Sequence, residues 1–168
     1  MIFMSQSGLT DPNRSADWDA WYLEHLRVMV SVEGIESAQR FKTTSPNYSP
    51  SLAMYSVESA AVFQDPYYQS IRGMGEFKEL VDKSYYHRNL FSGLDLAPAV
   101  SADQVLLVWD GTSARPAHGL EFVWLEAIAA DRSVPWRGIA VITAARARTV
   151  PEALGIACYA PVTGVFHK

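Results

Sequence analysis

Cysteine is almost absent from this chain of 168 residues: Cys158 stands alone. A single thiol rules out an intramolecular disulfide and any metal cluster built from several thiolates. Charge is sparse as well, at 19% of positions, and 14 Lys and Arg against 18 Asp and Glu give a net charge of −4 with no basic run. Nucleic acids and anionic lipids are held by clustered positive charge, so neither nucleic acid nor a membrane is an expected partner. No stretch approaches the roughly 20 apolar residues that span a bilayer. The start, Met1 to Ser7, has neither the basic region nor the long apolar region of a secretion signal. The expected setting is the cytoplasm. Chemical motifs are missing too. His25, His87, His118 and His167 show no H-x-x-x-H spacing, no G-x-S-x-G elbow presents a serine, and Gly73-Met74-Gly75 lacks the lysine and helix of a phosphate loop. No metal and no cofactor is expected.

What the chain does have is apolar and aromatic surface, 49% and 12% of positions, enough to close a core. Ile2 to Gly8 reads as a strand and Thr10 to Arg14 as a loop. A helix follows. Ser15 is placed to cap it, Asp17 and Asp19 put negative charge at its positive end, and Trp18, Trp21, Tyr22, His25, Leu26 and Met29 recur at steps of three and four before Gly34 stops it. Ile35–Thr43 and Leu52–Val57 read as strands, Val62 and Phe63 as helical, Asp65-Pro66 as a break, and Tyr85–Phe91 as a fourth strand. The order βαββαβ is the ferredoxin-like arrangement. After a connector at 96–103, Val105–Trp109 reads as a strand, Gly119–Ala130 as a helix, and Ile139–Thr143 and Gly155–Ala160 as strands. Sliding the chain by about 102 residues sets Tyr22-Leu23 on Trp124-Leu125 and Glu24 on Glu126, a weak internal repeat.

The strands are apolar on both faces: Leu52 and Met54 oppose Ala53, Tyr55 and Val57, while Val105, Leu107 and Trp109 oppose Leu106 and Val108. A bare sheet face of several hundred Å² would forgo on the order of 10 kcal/mol. Each sheet must therefore be covered on both sides. The expected fold is α+β: a ferredoxin-like half at 1–95 packed sheet to sheet on a second, incomplete half at 104–168, with helices outside and a cavity between the sheets.

The run Trp18-Asp19-Ala20-Trp21-Tyr22-Leu23-Glu24-His25-Leu26, then Gly34-Ile35, Arg40, Leu52 to Ser59, Asp65-Pro66-x-Tyr68 and His87-Arg88-Asn89-Leu90-Phe91 resembles the dimeric α+β barrel superfamily, in particular EthD-like proteins. The likeness covers about residues 1–95; the second half follows it only in the order of its elements and lacks a last helix and strand. The resemblance implies a barrel enclosing a cavity and a homo-oligomer in which another subunit supplies the missing edge. It also implies cofactor-independent chemistry on a small oxygenated aromatic, lactone or polyketide-like molecule.

His25 is the first candidate for that chemistry, because an imidazole exchanges protons near neutral pH and the resembled family has a cavity-facing histidine on this helix. Alternation sends Tyr85 and His87 to one face of their strand and Tyr86 and Arg88 to the other; the first pair is taken as catalytic, with Tyr22 orienting a carbonyl. Trp18, Trp21, Tyr55 and Trp109 offer flat surfaces to an aromatic substrate. Three readings stay open: a proton-transfer enzyme acting as isomerase, cyclase, lactonase or monooxygenase; a stress-related module that binds a small ligand or haem; and a structural oligomer whose cavity is filled by its own side chains.

Overall fold

The computed structural model describes residues 1–115, 119–150 and 154–168. Its strands are β1 (Ile2–Ser7), β2 (Ile35–Lys42), β3 (Ser51–Val57), β4 (His87–Ser92), β5 (Gln104–Gly111), β6 (Val123–Ala130), β7 (Trp136–Thr143), β8 (Ala157–Pro161) and β9 (Phe166–His167). The α-helices are α1 (Ser15–Val30), the six-residue α2 (Pro66–Ile71) and the single turn α3 (Ala144–Ala147). Neighbouring strands bond in the order β3-β1-β4-β6-β7-β5-β8-β2, and β2 bonds back to β3. Every pairing is antiparallel, and the eight strands close on themselves.

This architecture corrects the expected one. The protein is a closed antiparallel β-barrel with few helices, not two ferredoxin-like halves stacked face to face. The first four strands lie in the order β4-β1-β3-β2 and the second four as β8-β5-β7-β6, but the two sets join edge to edge. β4 bonds β6, β8 bonds β2 at Phe41 and Lys42, and β9 extends that seam at Ser37 and Ala38. No second subunit is needed to close the barrel. Among the described residues the second set carries no long helix: Gly119–Ala130, expected as a helix for its alanines, contains strand β6. Leu125 and Ala127 are buried while Trp124, Glu126 and Ile128 are not, a period of two that the gap between β4 and β7 imposes over helix propensity. The offset that paired Tyr22 with Trp124 therefore matched a helix with a strand.

The double-sided strands have a different explanation from the one expected. One face of each strand fills the barrel lumen: Ile2, Met4, Phe41, Leu52, Met54, Phe91, Leu106, Val108, Leu125, Ile139 and Tyr159 form one buried cluster. The other face of β1, β3 and β4 carries Phe3, Ala53, Tyr55, Val57 and Leu90, which pack under α1 with Trp18, Tyr22, Leu26 and Met29. The outer face of β5 and β7 packs Val105, Leu107, Trp109 and Ala140 against Leu120, Phe122 and Trp124. The expected inter-sheet cavity is thus a packed lumen. Gln39 ties its connector side, where its amide takes a bond from Val100 N–H at 3.1 Å and donates one to the Val100 carbonyl at 2.7 Å. Tyr48, packed on the same cluster, donates to the Gly155 carbonyl at 2.9 Å.

One charge sits inside that lumen. Arg137, 1% exposed, donates from Nε and Nη2 to the two Asp110 carboxylate oxygens at 2.7 and 2.9 Å, and from Nη2 to Gln6 Oε1 at 2.8 Å. The bidentate carboxylate offsets the cost of desolvating this guanidinium. Arg137→Ala, which strands the Asp110 carboxylate and Gln6, is expected to cost about 3–5 kcal/mol in urea unfolding. The double replacement Arg137→Met, Asp110→Leu should cost less than the single one; a single-variant loss under about 1 kcal/mol would show that the pair holds nothing together.

Candidate functional site

The helical cover of the barrel does not fit it perfectly. α1 lies over β1 and β3, and its sequence stacks Trp18, Tyr22, His25 and Met29 along one side. Gly34, at φ +81°, turns the chain after it into β2, and a Cβ there would meet Val62 Cγ2 at 2.6 Å. The motif Asp65-Pro66-x-Tyr68 spells the start of α2: Asp65 Oδ1 accepts the Tyr68 N–H at 2.9 Å and Pro66 supplies a first-turn residue that needs no partner. This turns Tyr68 inward, at 6% exposure, with Arg72 four residues on. β4 then contributes Arg88 from its outer face, and the turn before it contributes Tyr86.

Between these pieces lie three adjoining spaces. The innermost is a chamber of about 30 Å³ bordered by Ser5, Tyr22, His25, Tyr55, Tyr68 and Tyr86, room for about two waters. A pocket of about 300 Å³ opens beside it between Phe3, Phe63, Tyr68 and Ala129. A groove of about 510 Å³ runs away past Met74, Tyr86, Lys78 and Lys83. Arg72 and Arg88 border all three.

Electrostatics sets what each group in the chamber can do. Burial alone lowers His25 to about 4, with no neighbouring charge or hydrogen bond offsetting it, so the imidazole is neutral at physiological pH. Its ring is held by stacking on Trp21, centroids 4.7 Å apart at 13°, and Trp21 is in turn backed by Phe77 at 5.7 Å and by Gly75, where a Cβ would lie 3.0 Å from the indole nitrogen. Burial pushes the Tyr55 phenol well up, and the nearby phenols of Tyr22, Tyr68 and Tyr86 add to this. Tyr22 and Tyr68 are also raised by burial, partly offset by Arg40 for Tyr22 and by Arg88 and Arg72 for Tyr68. These three phenols are hydrogen-bond donors, not bases. Arg88 is anchored by Asp131, which accepts its backbone N–H at 2.8 Å and its Nη2 at 3.3 Å, while its Nε is buried without a partner among the described residues.

Of the residues expected from sequence, the structure brings His25, Tyr22 and Tyr55 together in the chamber and sets Trp21 behind His25. It leaves four elsewhere. Tyr85 precedes β4 and is 36% exposed; His87 pairs with Gln6 on the strand face that alternates with Arg88. The strand starts two residues later than expected, and the Tyr86 and Arg88 pair borders the chamber instead. Trp109 belongs to an aromatic cluster on the outside of β5, 5.6 Å from Phe122 and 5.7 Å from Trp124, with the Arg115 guanidinium 3.9 Å above it. Trp18 lines a separate groove of about 580 Å³ beside Leu9, Pro12, Lys42, Pro50 and Cys158. That groove is the larger but chemically quieter one. Its lysine is paired with Asp19 at 2.5 Å and its thiol is pushed up by burial, away from the reactive thiolate.

Arg72, Tyr68, Lys78 and Lys83 escaped the sequence reading. The signal available for two of them was the four-residue step from Tyr68 to Arg72, which stacks them on one side of a helix end. Among the described residues no group of three or more His, Cys, Asp or Glu side chains could hold a metal; His118 lies outside them. No helix is long and apolar enough to cross a membrane among the described residues. No protein-family model, characterised protein or solved structure matches the chain.

Burial of the neutral imidazole links His25 to stability. The unfolded chain binds a proton at its ordinary value of 6.5 and the folded chain only at about 4, so between these values the unfolded state holds more protons and acid favours it. The stabilisation is full above pH 6.5 and is lost as pH falls toward 4, by about 3 kcal/mol over the window. Denaturant unfolding of His25→Gln against the parent checks this: the variant should show a shallower fall between pH 6.5 and 4, and identical slopes would remove the buried-neutral assignment.

Proposed function

We propose that the protein is a cofactor-independent enzyme that moves a proton on a small oxygenated aromatic or unsaturated carbonyl compound, in the cytoplasm. The observation that carries this reading is the shared border of the aromatic pocket and the His25 chamber. The pocket walled on one side by the packed rings of Phe3, Phe63 and Tyr68 is at the lower end of small-molecule sites in volume, large enough for one aromatic ring, and the chamber beside it admits only an oxygen substituent.

In this pose the neutral His25 takes a proton from an O–H, or from a C–H next to a carbonyl, and the electron pair stays on the substrate as an oxyanion. Tyr22, Tyr55 and Tyr68 donate hydrogen bonds to that oxygen, and the unpartnered Nε of Arg88 supplies a charged donor. Return of the proton to a different atom completes an isomerisation or prepares a ring closure, with no oxidant or reductant consumed. Burial makes His25 a weak base in the empty protein, but an oxyanion formed beside it favours the imidazolium and raises its basicity during the step.

The small volume of the chamber favours a second reading, in which the ligand is held in the aromatic pocket without turnover. Thermal-shift screening with phenols, quinones and unsaturated lactones finds ligands under either reading, because anything that prefers the folded state raises its melting temperature. Hydrogen–deuterium exchange at the carbon next to the carbonyl of a bound ligand, followed in D2O, separates them. The enzyme reading expects exchange that slows about 10²-fold in His25→Ala while the ligand still raises the melting temperature. Binding without any exchange establishes the second reading.

A further inference from the structure

The chain is acidic overall, with a net charge of −4, yet one groove on it is lined by four cations and no acid. Arg72, Lys78, Lys83 and Arg88 border the space of about 510 Å³ that leads away from the His25 chamber. They are scattered over the sequence at intervals of five and six residues, and the turns at Gly73 and Gly75, both at positive φ, fold them round Met74 and Tyr86. Among the described residues Arg72, Lys78 and Lys83 make no salt bridge; of the four only Arg88 has an acidic partner, Asp131, which lies outside the groove lining. Like charges gathered with one acidic partner for four cations cost free energy in the empty protein, and a ligand anion removes that cost.

We infer that this groove holds the anionic tail of the substrate, and that the tail is of the phosphate class. The inference rests on the proposed reaction for the head group and adds the chemistry of the other end. A single carboxylate is matched by one guanidinium; four cations spread along a groove match an anion with two or more negative charges distributed over several oxygens, as in a phosphate monoester or a pyrophosphate. The two guanidiniums, Arg72 and Arg88, stand where the groove meets the aromatic pocket. They suit the phosphoryl group next to the ring, with the flexible ammonium groups of Lys78 and Lys83 reaching oxygens farther out. The substrate thereby spans the site: ring against the paired Phe3 and Phe63 rings, reacting oxygen toward His25, anionic tail past Arg72 and Arg88.

Isothermal calorimetry with phenyl phosphate, benzyl alcohol and inorganic pyrophosphate as probes tests the tail directly and does not depend on turnover. Phenyl phosphate and pyrophosphate are expected to bind saturably, benzyl alcohol at least tenfold more weakly, and affinity should fall as salt rises from about 0.05 to 0.5 M because the charges lie near solvent. Lys78 and Lys83 are exposed, so Lys78→Glu with Lys83→Glu leaves the fold intact, checked by an unchanged melting temperature without ligand, and should weaken pyrophosphate binding about tenfold or more. Arg72→Gln should weaken phenyl phosphate by a similar factor. Absence of saturable phenyl phosphate and pyrophosphate binding by the parent protein overturns the inference, as does equal binding by the charge-reversed variant. His25→Ala should bind both anions like the parent; loss of exchange in that variant with anion binding kept supports head and tail assignments together, whereas anion binding kept with exchange unaffected removes the proton-transfer role of His25 and leaves the tail site standing.

Discussion

Eight strands that bond around a complete circuit leave no backbone edge, and that closure decides where everything else can be. Each strand then has one face turned to a lumen and one turned outward, and a small barrel fills its lumen with its own side chains. Here Ile2, Met4, Phe41, Leu52, Phe91 and Leu106 do so, with the Arg137–Asp110 pair among them. The spaces that border Arg88 lie on the outer side of the barrel wall. The seam between β2 and the segment running from β8 to β9 completes the circuit: Val162 N–H bonds the Arg40 carbonyl at 2.9 Å and Thr163 Oγ1 accepts the Arg40 N–H at 3.0 Å.

The outer surface is covered unevenly. On the side of β1, β3 and β4 the cover is α1, α2 and short 3-10 turns, whose rounded faces cannot match a twisted sheet everywhere. α1 is fixed tightly near its start, where Arg40, 1% exposed, bonds Asp19 at 2.8 Å and stacks its guanidinium 4.3 Å from the Tyr22 ring. Farther along, Phe166 of β9 lies under the Arg27 guanidinium on one side, while His25 and Met29 face the arc from Tyr68 to Tyr86 across the chamber. On the side of β5 and β7 the cover is a cluster of Trp109, Phe122 and Trp124.

Much of this was legible in the sequence, and the errors share one cause. The 3.6-residue recurrence from Trp18 to Met29, the glycine stop at Gly34 and the opposed faces of Leu52 to Val57 are local signals, and α1, β2 and β3 follow them closely. A strand apolar on both faces, however, says only that both faces are covered, not by what; a second sheet and a lumen with an outer helix satisfy it equally. The alanines of 127–130 favour a helix until the space between β4 and β7 demands a strand, a demand that is invisible without the topology. The site divided in the same way. His25, Tyr22 and Tyr55 stood out by type, but the cations at 72, 78, 83 and 88 are too far apart in sequence to read as a basic cluster, and only two glycine turns bring them together.

Burial gives the candidate base its character in both directions. A solvated imidazole would be partly charged near neutral pH and its ion pair with a substrate anion would be screened by water. Inside the chamber the same imidazole is held neutral, so it is free to accept a proton, and in the proposed reaction the ion pair sits where the local dielectric is lower than in water and attraction is stronger. The phenols that surround it stay protonated for the same reason, so they stabilise an oxyanion without competing for the proton. A chamber too small for an aromatic ring is consistent with the proposed division of labour, in which the bulk and charge of a substrate rest in the outer spaces and only the reacting oxygen enters the enclosed one.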